Sequence, residues 1–155
     1  MKRAITTPLA VALAAAALTG CASSGPVGSD VLTGSIKTNT ARLVIYRVSP
    51  LGFAVQPGYL LNGQKIANST PNGFVVCDLP PGKTELAVDN TSFNINLFGG
   101  SDKASLNLAP GSTTFVRADP QPGVTIGIIT LTQVTESQGR ADSAALHKIE
   151  STCKA

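Results

Sequence analysis

The sequence predicts a mainly β protein: an antiparallel β-sandwich of about seven to nine short strands, with a short C-terminal helix. Three observations predict it. From Arg42 onward, short apolar runs are broken by turn residues. Several of those runs alternate apolar and polar positions, which puts one strand face in a core and the other in water. Fifteen Gly and ten Pro among 155 residues are too many for a helical bundle and too few for a low-complexity tract. The charge is modest, +3, and aromatic residues make up 5%. That balance argues against a dedicated nucleic-acid binder, which needs many basic side chains for phosphates and aromatic faces for bases.

The first twenty residues stand apart. Lys2 and Arg3 give a positive start, and Leu9 to Leu18 is an unbroken apolar run rich in alanine. Ten residues rise only ~15 Å as a helix, about half of a hydrocarbon core, so the run is too short to span a bilayer. A positive start followed by a short apolar run has the form of a secretory signal peptide. With Lys2 and Arg3 gone, the remaining chain carries ten basic against nine acidic side chains, a net +1. Residues 22 to 40 are dominated by Ser, Gly, Thr and Asn, with no lasting period. They predict a flexible tether with a reach of ~20–25 Å. The organisation expected is therefore a signal peptide over 1–20, a processed N-terminus and tether over 21–40, and the β domain over 41–155.

The elements of the domain follow in order. Arg42 to Val48 is rich in β-branched and aromatic residues and stops at Ser49-Pro50. Tyr59 to Ala67 is a hairpin, because Asn62-Gly63 supplies the two positive φ angles of a type I′ turn. Phe74 to Asp78 is a strand. Thr84 to Asp89 alternates, with Leu86 and Val88 on one face, and Phe93 to Leu97 alternates likewise. Ala104 to Leu108, Thr113 to Ala118 and Val124 to Val134 complete the strands, the last bent near Gly127. Pro57-Gly58, Pro81-Gly82, Pro110-Gly111 and Pro122-Gly123 each match a type II turn. Arg140 to Thr152 reads as a helix with Asp142 near its start. Leu146, Ile149 and Cys153, at i, i+3 and i+7, would form its apolar face.

Leu18-Thr19-Gly20-Cys21, directly after the apolar run, is similar to the bacterial lipobox. The resemblance implies cleavage between Gly20 and Cys21 and acylation of the Cys21 thiol, leaving a lipidated N-terminus; the alternative is an ordinary signal peptide in which Cys21 is incidental. Two or three acyl chains, palmitate among them, give durable anchoring at ~0.8 kcal/mol per buried methylene. Ala22 in place of Asp resembles sorting to the outer membrane of a Gram-negative cell.

Three stretches of the domain resemble a family of small bacterial lipoproteins designated domain-of-unknown-function family 2846. They are Ala41 to Arg47, the hairpin Tyr59-Leu60-Leu61-Asn62-Gly63-Gln64-Lys65-Ile66, and Phe74 to Gly82 with its Asp78-Leu79-Pro80-Pro81-Gly82 ending. Leu108 to Gly111, followed by Phe115 and Arg117, is similar to a later strand of the same family, although Phe115-Val116 departs from the expected aromatic pair. The resemblance implies a compact β-sandwich at the cell envelope and supplies no catalytic residue.

With Cys21 acylated, Cys77 and Cys153 remain as an even pair in an oxidising compartment, which allows either a disulfide or two thiols. A bond would fasten the chain's end to the sheet. Chemistry beyond that is thin. Gly82-Lys83-Thr84 ends like a phosphate-binding loop, but position 77 is Cys where that motif needs Gly. His147 is the single histidine and has no ligand-spaced partner, and no G-x-S-x-G occurs. Glu85 and Asp89 lie ~13–14 Å apart along one strand, too far for an acid–base pair. Asn68-Ser69-Thr70 and Asn90-Thr91-Ser92 match a glycosylation sequon that a bacterial lipoprotein rarely uses. Asn94, Asn96, Phe98-Gly99-Gly100 and Asp102 form the loop best suited to contact a partner.

The sequence nominates no catalytic residue, no metal ligand set and no cofactor. The expectation is a non-enzymatic lipoprotein of the outer membrane, facing the periplasm. Its partners would be membrane lipid, through acylated Cys21, and an envelope protein, with no nucleic acid. The alternative is a glycan- or peptidoglycan-binding lipoprotein, disfavoured by the absence of Trp and the presence of only two Tyr.

Overall fold

The computed structural model describes residues 24–54, 56–90, 102–121 and 128–153. Two sheets face each other. The five-stranded sheet has the order β8-β7-β1-β4-β9. Its strands are β1 (Ala41–Arg47), β4 (Gly73–Leu79), β7 (Thr113–Pro120), β8 (Ile129–Val134) and β9 (His147–Lys148). The four-stranded sheet has the order β3-β2-β5-β6. Its strands are β2 (Gly58–Leu61), β3 (Gln64–Asn68), β5 (Gly82–Val88) and β6 (Lys103–Leu108). The protein is thus mainly β, a two-sheet sandwich with one short helix near the C-terminus. Among the described residues pairing is antiparallel except at two ladders, where β1 runs parallel to β7 and β4 parallel to β9.

The non-alternating run of β1 reflects its central place, where both faces are buried. Leu43 and Ile45 join Val75, Cys77, Val116 and Ala118 on the inner face, against Tyr59, Leu86, Val88, Leu106 and Leu108 of the other sheet. Val44 and Tyr46 join Phe74 and Phe115 on the outer face, under Leu32 and Leu146. Two short helices cover that outer face: α1 (Gly28–Val31) and α2 (Glu136–Ser143). The close seat of α2 depends on a missing side chain, since a Cβ on Gly139 would stand 2.2 Å from the Phe115 ring.

The turns follow the sequence in part. Asn62 and Gly63 hold φ of 49° and 81°, as a type I′ turn requires. Gly82 and Gly111 have φ of 130° and 67°. Gly58 does not turn: it opens β2, bonded through its carbonyl to the Asp89 N–H. The Pro122-Gly123 turn, the bend near Gly127 and the strand Phe93 to Leu97 lie outside the described residues.

Two expectations are corrected. The helix predicted from Arg140 to Thr152 instead spans Glu136–Ser143. Thr135 starts it, its hydroxyl accepting from the Gln138 N–H at 3.3 Å. After Ser143 the chain extends, β9 pairs with Gly73 and Phe74, and the Ile149 N–H donates to the Phe74 carbonyl. Leu146 packs on the outer face while Ile149 and Cys153 pack against the inner core. A single helical face cannot serve both sides of a sheet, so the extended path is the one that buries all three.

The predicted tether is docked over residues 25–32, while most of 33–39 is exposed. The Lys148 N–H donates to the Pro26 carbonyl, the Gly28 N–H to the Leu146 carbonyl, and Val27 bridges to His147. Leu32 is buried and its carbonyl accepts from Arg140. The apolar residues of this stretch are too few to show a period, yet they suffice to cover the outer face beside α2.

Candidate functional site

Strand register places one end of the sandwich. Arg47 ends β1 opposite Gly73, and Gly73 lies opposite His147. On the other side of β1, the parallel strand β7 ends at Pro120 opposite Ile129. Asn90, just beyond β5, bonds both ways with the Ile129 backbone at 3.0 Å. The 48–57 connection and the 69–72 loop therefore share this end with Val27, which bridges antiparallel to His147, so Gly25, its carbonyl 2.8 Å from His147 Nδ1, lies further along the sheet from this end.

The polar centre of this end is Arg47, whose side chain is wholly buried. Its Nε donates to the Ser49 carbonyl at 3.2 Å, Nη1 to the Ser69 carbonyl at 2.7 Å, and Nη2 to the Leu51 carbonyl. One guanidinium thus ties the β1–β2 connection to the β3–β4 loop through carbonyl dipoles. Burial lowers the Arg47 pKa from its ordinary value, while the nearby Tyr59 phenol favours the charge. Tyr59 itself is pushed up, by burial first and against the opposing effect of Arg47. The Tyr59 and Ser69 hydroxyls are buried there without a hydrogen-bond partner among the described residues.

The pinned connection carries apolar side chains into solvent. Val48 is 43% exposed, Leu51 51% and Phe53 66%, the large exposed hydrophobics among the described residues. Gln56 Nε2 bonds the Phe53 carbonyl at 3.1 Å and accepts at Oε1 from Thr70 at 3.2 Å. The Ser69 N–H donates to the Pro57 carbonyl at 2.9 Å. The loop is therefore fixed at both its start and its end, with the apolar tip held outward.

The sequence-nominated residues distribute as follows. Gly20 and Cys21 lie outside the described residues, as do Asn94, Asn96, Phe98, Gly99 and Gly100. Cys77 and Cys153 come together with their Cα atoms 5.4 Å apart and their sulfurs at bonding distance. Gly82, Lys83 and Thr84 enter β5 from a turn, as expected. An open depression of about 400 Å³ between β5 and β6 is lined by Lys83, Glu85, Ser105 and Asn107. No three His, Cys, Asp or Glu side chains gather among the described residues. No helix among them is long and apolar enough to cross a membrane.

Sequence reasoning missed Arg47 and the loop it holds. The available signal was Val48, Leu51 and Phe53 set around Pro50 and Gly52, apolar residues placed in turn chemistry where no core would take them. No protein-family model, no curated protein and no solved structure matches the chain.

Proposed function

We infer that the protein is a lipid-anchored envelope module of the bacterial outer membrane, non-enzymatic, and resembling domain-of-unknown-function family 2846. The observation that carries this reading is Leu18-Thr19-Gly20-Cys21 after a ten-residue apolar run. A folded domain that begins within a few residues of that cysteine supports it. So does the pair Cys77 and Cys153, which suits an oxidising compartment and would close a span of 76 residues, contributing about 4–5 kcal/mol in the chain-entropy model.

The glycan-binding reading loses ground from the burial of both tyrosines, Tyr46 and Tyr59, which leaves neither as a platform for a sugar face. The anchoring test is Cys21→Ser: the variant leaves the membrane fraction, and retention there would sink the anchor. Crosslinking in whole cells then sorts the module's role, a protein partner supporting this reading and muropeptides or glycan supporting the other. Alkylation of the non-reduced protein labels neither Cys77 nor Cys153; labelling of both would remove the bond.

A further inference from the structure

We propose that Lys37 and Lys148 dock on the anionic headgroups of the bilayer that holds acylated Cys21; the proposal rests on the lipoprotein reading above. Strand direction places them. β9 runs parallel to β4, and Val27 bridges antiparallel to His147. Followed back from Val27 to Gly25, the chain therefore runs as β4 does, away from the Val48–Phe53 loop and toward Asp78. Gly25 lies against Lys148: a Cβ built on it would stand 3.3 Å from the Lys148 Cβ. From Gly25 back to Cys21 is four residues, which at ~3.5 Å per residue span at most ~14 Å in any conformation. The headgroup layer of one leaflet takes up ~5–7 Å of that reach. Gly25 and the adjoining Lys148 are thus held within about 7–9 Å of the lipid surface. That is about one Debye length at physiological salt, close enough for surface charge to act.

The charges around this exit are unbalanced. Arg42 donates to Asp78 at 2.7 and 2.8 Å. Arg42 holds the Asp78 carboxyl below its ordinary value, and Lys148 and Lys37 lie close enough to add to the effect. With Arg42 paired to Asp78, the charges of Lys37 and Lys148 are left in excess. Both side chains are exposed, and neither forms an ion pair among the described residues. Glu150, the next carboxylate along the chain, sits instead with Lys65 in the depression beside β3. The two covering helices have the opposite balance, with Asp30, Glu136 and Asp142 against Arg140. The outer cover is thus basic beside Asp78 and acidic over its helices. An anionic surface attracts the one and repels the other, which sets how the tethered domain rests on the lipid.

The test uses the full acylated chain reconstituted in phosphatidylcholine vesicles with or without phosphatidylglycerol. Lysine acetylation is timed residue by residue by mass spectrometry. Phosphatidylglycerol slows Lys37 and Lys148 about fivefold. It leaves Lys103 unchanged, a residue of the other sheet opposite Ala87 on β5. High salt removes the difference. Equal rates at Lys37 and Lys148 in both kinds of vesicle overturn the docking while leaving the anchor intact. Equal slowing of Lys103 also overturns it, because a field acting on the whole domain needs no patch. Mass measurement of the N-terminal peptide separates the two failures: an unmodified Cys21 removes the lipoprotein reading and this proposal with it. Position 37 is exposed, so Lys37→Gln leaves the fold in place. In that variant the slowing at Lys148 falls to about twofold or less; slowing that persists in full overturns a patch built from both lysines.

Discussion

The two faces of the five-stranded sheet are covered by different means. The inner face meets a second sheet, and its contacts are apolar side chains alternating along strands: Leu43 and Ile45 against Leu86, Val88 and Leu106. The outer face meets two short helices, and its apolar patch of Val44, Tyr46, Phe74 and Phe115 is supplemented by polar ties. Tyr46 Oη donates to Asp142 at 2.7 Å, Arg140 reaches the Leu32 carbonyl, and Arg42 bonds both Asp78 and the Gly34 carbonyl. Tyr46 and Phe115 meet edge to face at 6.5 Å, and Arg140 lies over the Phe115 ring at 5.8 Å. A face buried by a sheet is held by area; one buried by short segments needs directed contacts to fix each segment in place.

Substitutions can break this contrast. The largest loss is expected on the inner face: Leu86→Ala removes a fully buried side chain and costs about 3 kcal/mol in denaturant unfolding. On the outer face Gly139→Ala costs about 2 kcal/mol, because the added methyl meets the Phe115 ring. Helix propensity alone favours the alanine by about 1 kcal/mol, so a stabilised variant would show that α2 is not seated on that ring.

Tyr46→Phe leaves the ring packing and removes one directed contact, costing about 1–2 kcal/mol at neutral pH. Burial and the Asp142 bond push the Tyr46 pKa up from 10.0. The neutral phenol is thus favoured in the folded state, and its contribution is complete below pH 10 and declines as pH rises beyond it. The variant should show a shallower alkaline loss of stability than the parent. The smallest effect is Asp78→Asn. The Arg42 hydrogen bond holds the Asp78 carboxyl below its ordinary value of 3.8, so its contribution is present above that pH and fades as acid is added. Asp78 keeps 38% of its side-chain surface in water, which limits the effect to at most about 1 kcal/mol; an acid limb unchanged in the variant would assign that pair no role.

The same contrast explains what the sequence made legible. Inner-face strands alternate or run continuously apolar, and Asn62-Gly63 can hardly be anything but a tight hairpin turn, so the sandwich was readable. The outer cover was not. Ile149 and Cys153 are four apart, a spacing that fits the helical period and the strand period alike. Only Leu146 separates them, three residues before Ile149 and on the opposite side of the sheet. The helix starts instead at Thr135, whose hydroxyl caps the Gln138 N–H, five residues before the predicted start at Arg140. The Arg47 site was hidden for another reason. Its partners are backbone carbonyls, which leave no trace in residue identity.

The pairing of residues 25–28 with 144–148 also sets an order of events. Gly25 and His147 are separated by 122 positions. At a synthesis rate of ~5–20 residues per second, the partner of the N-terminal segment is made about 6–24 s after that segment itself. Until then Pro26 and Val27 have no strand edge to join. Arrival of the C-terminus closes that interval, so residues 25–28 are the first part of the described domain to be made and among the last to be locked.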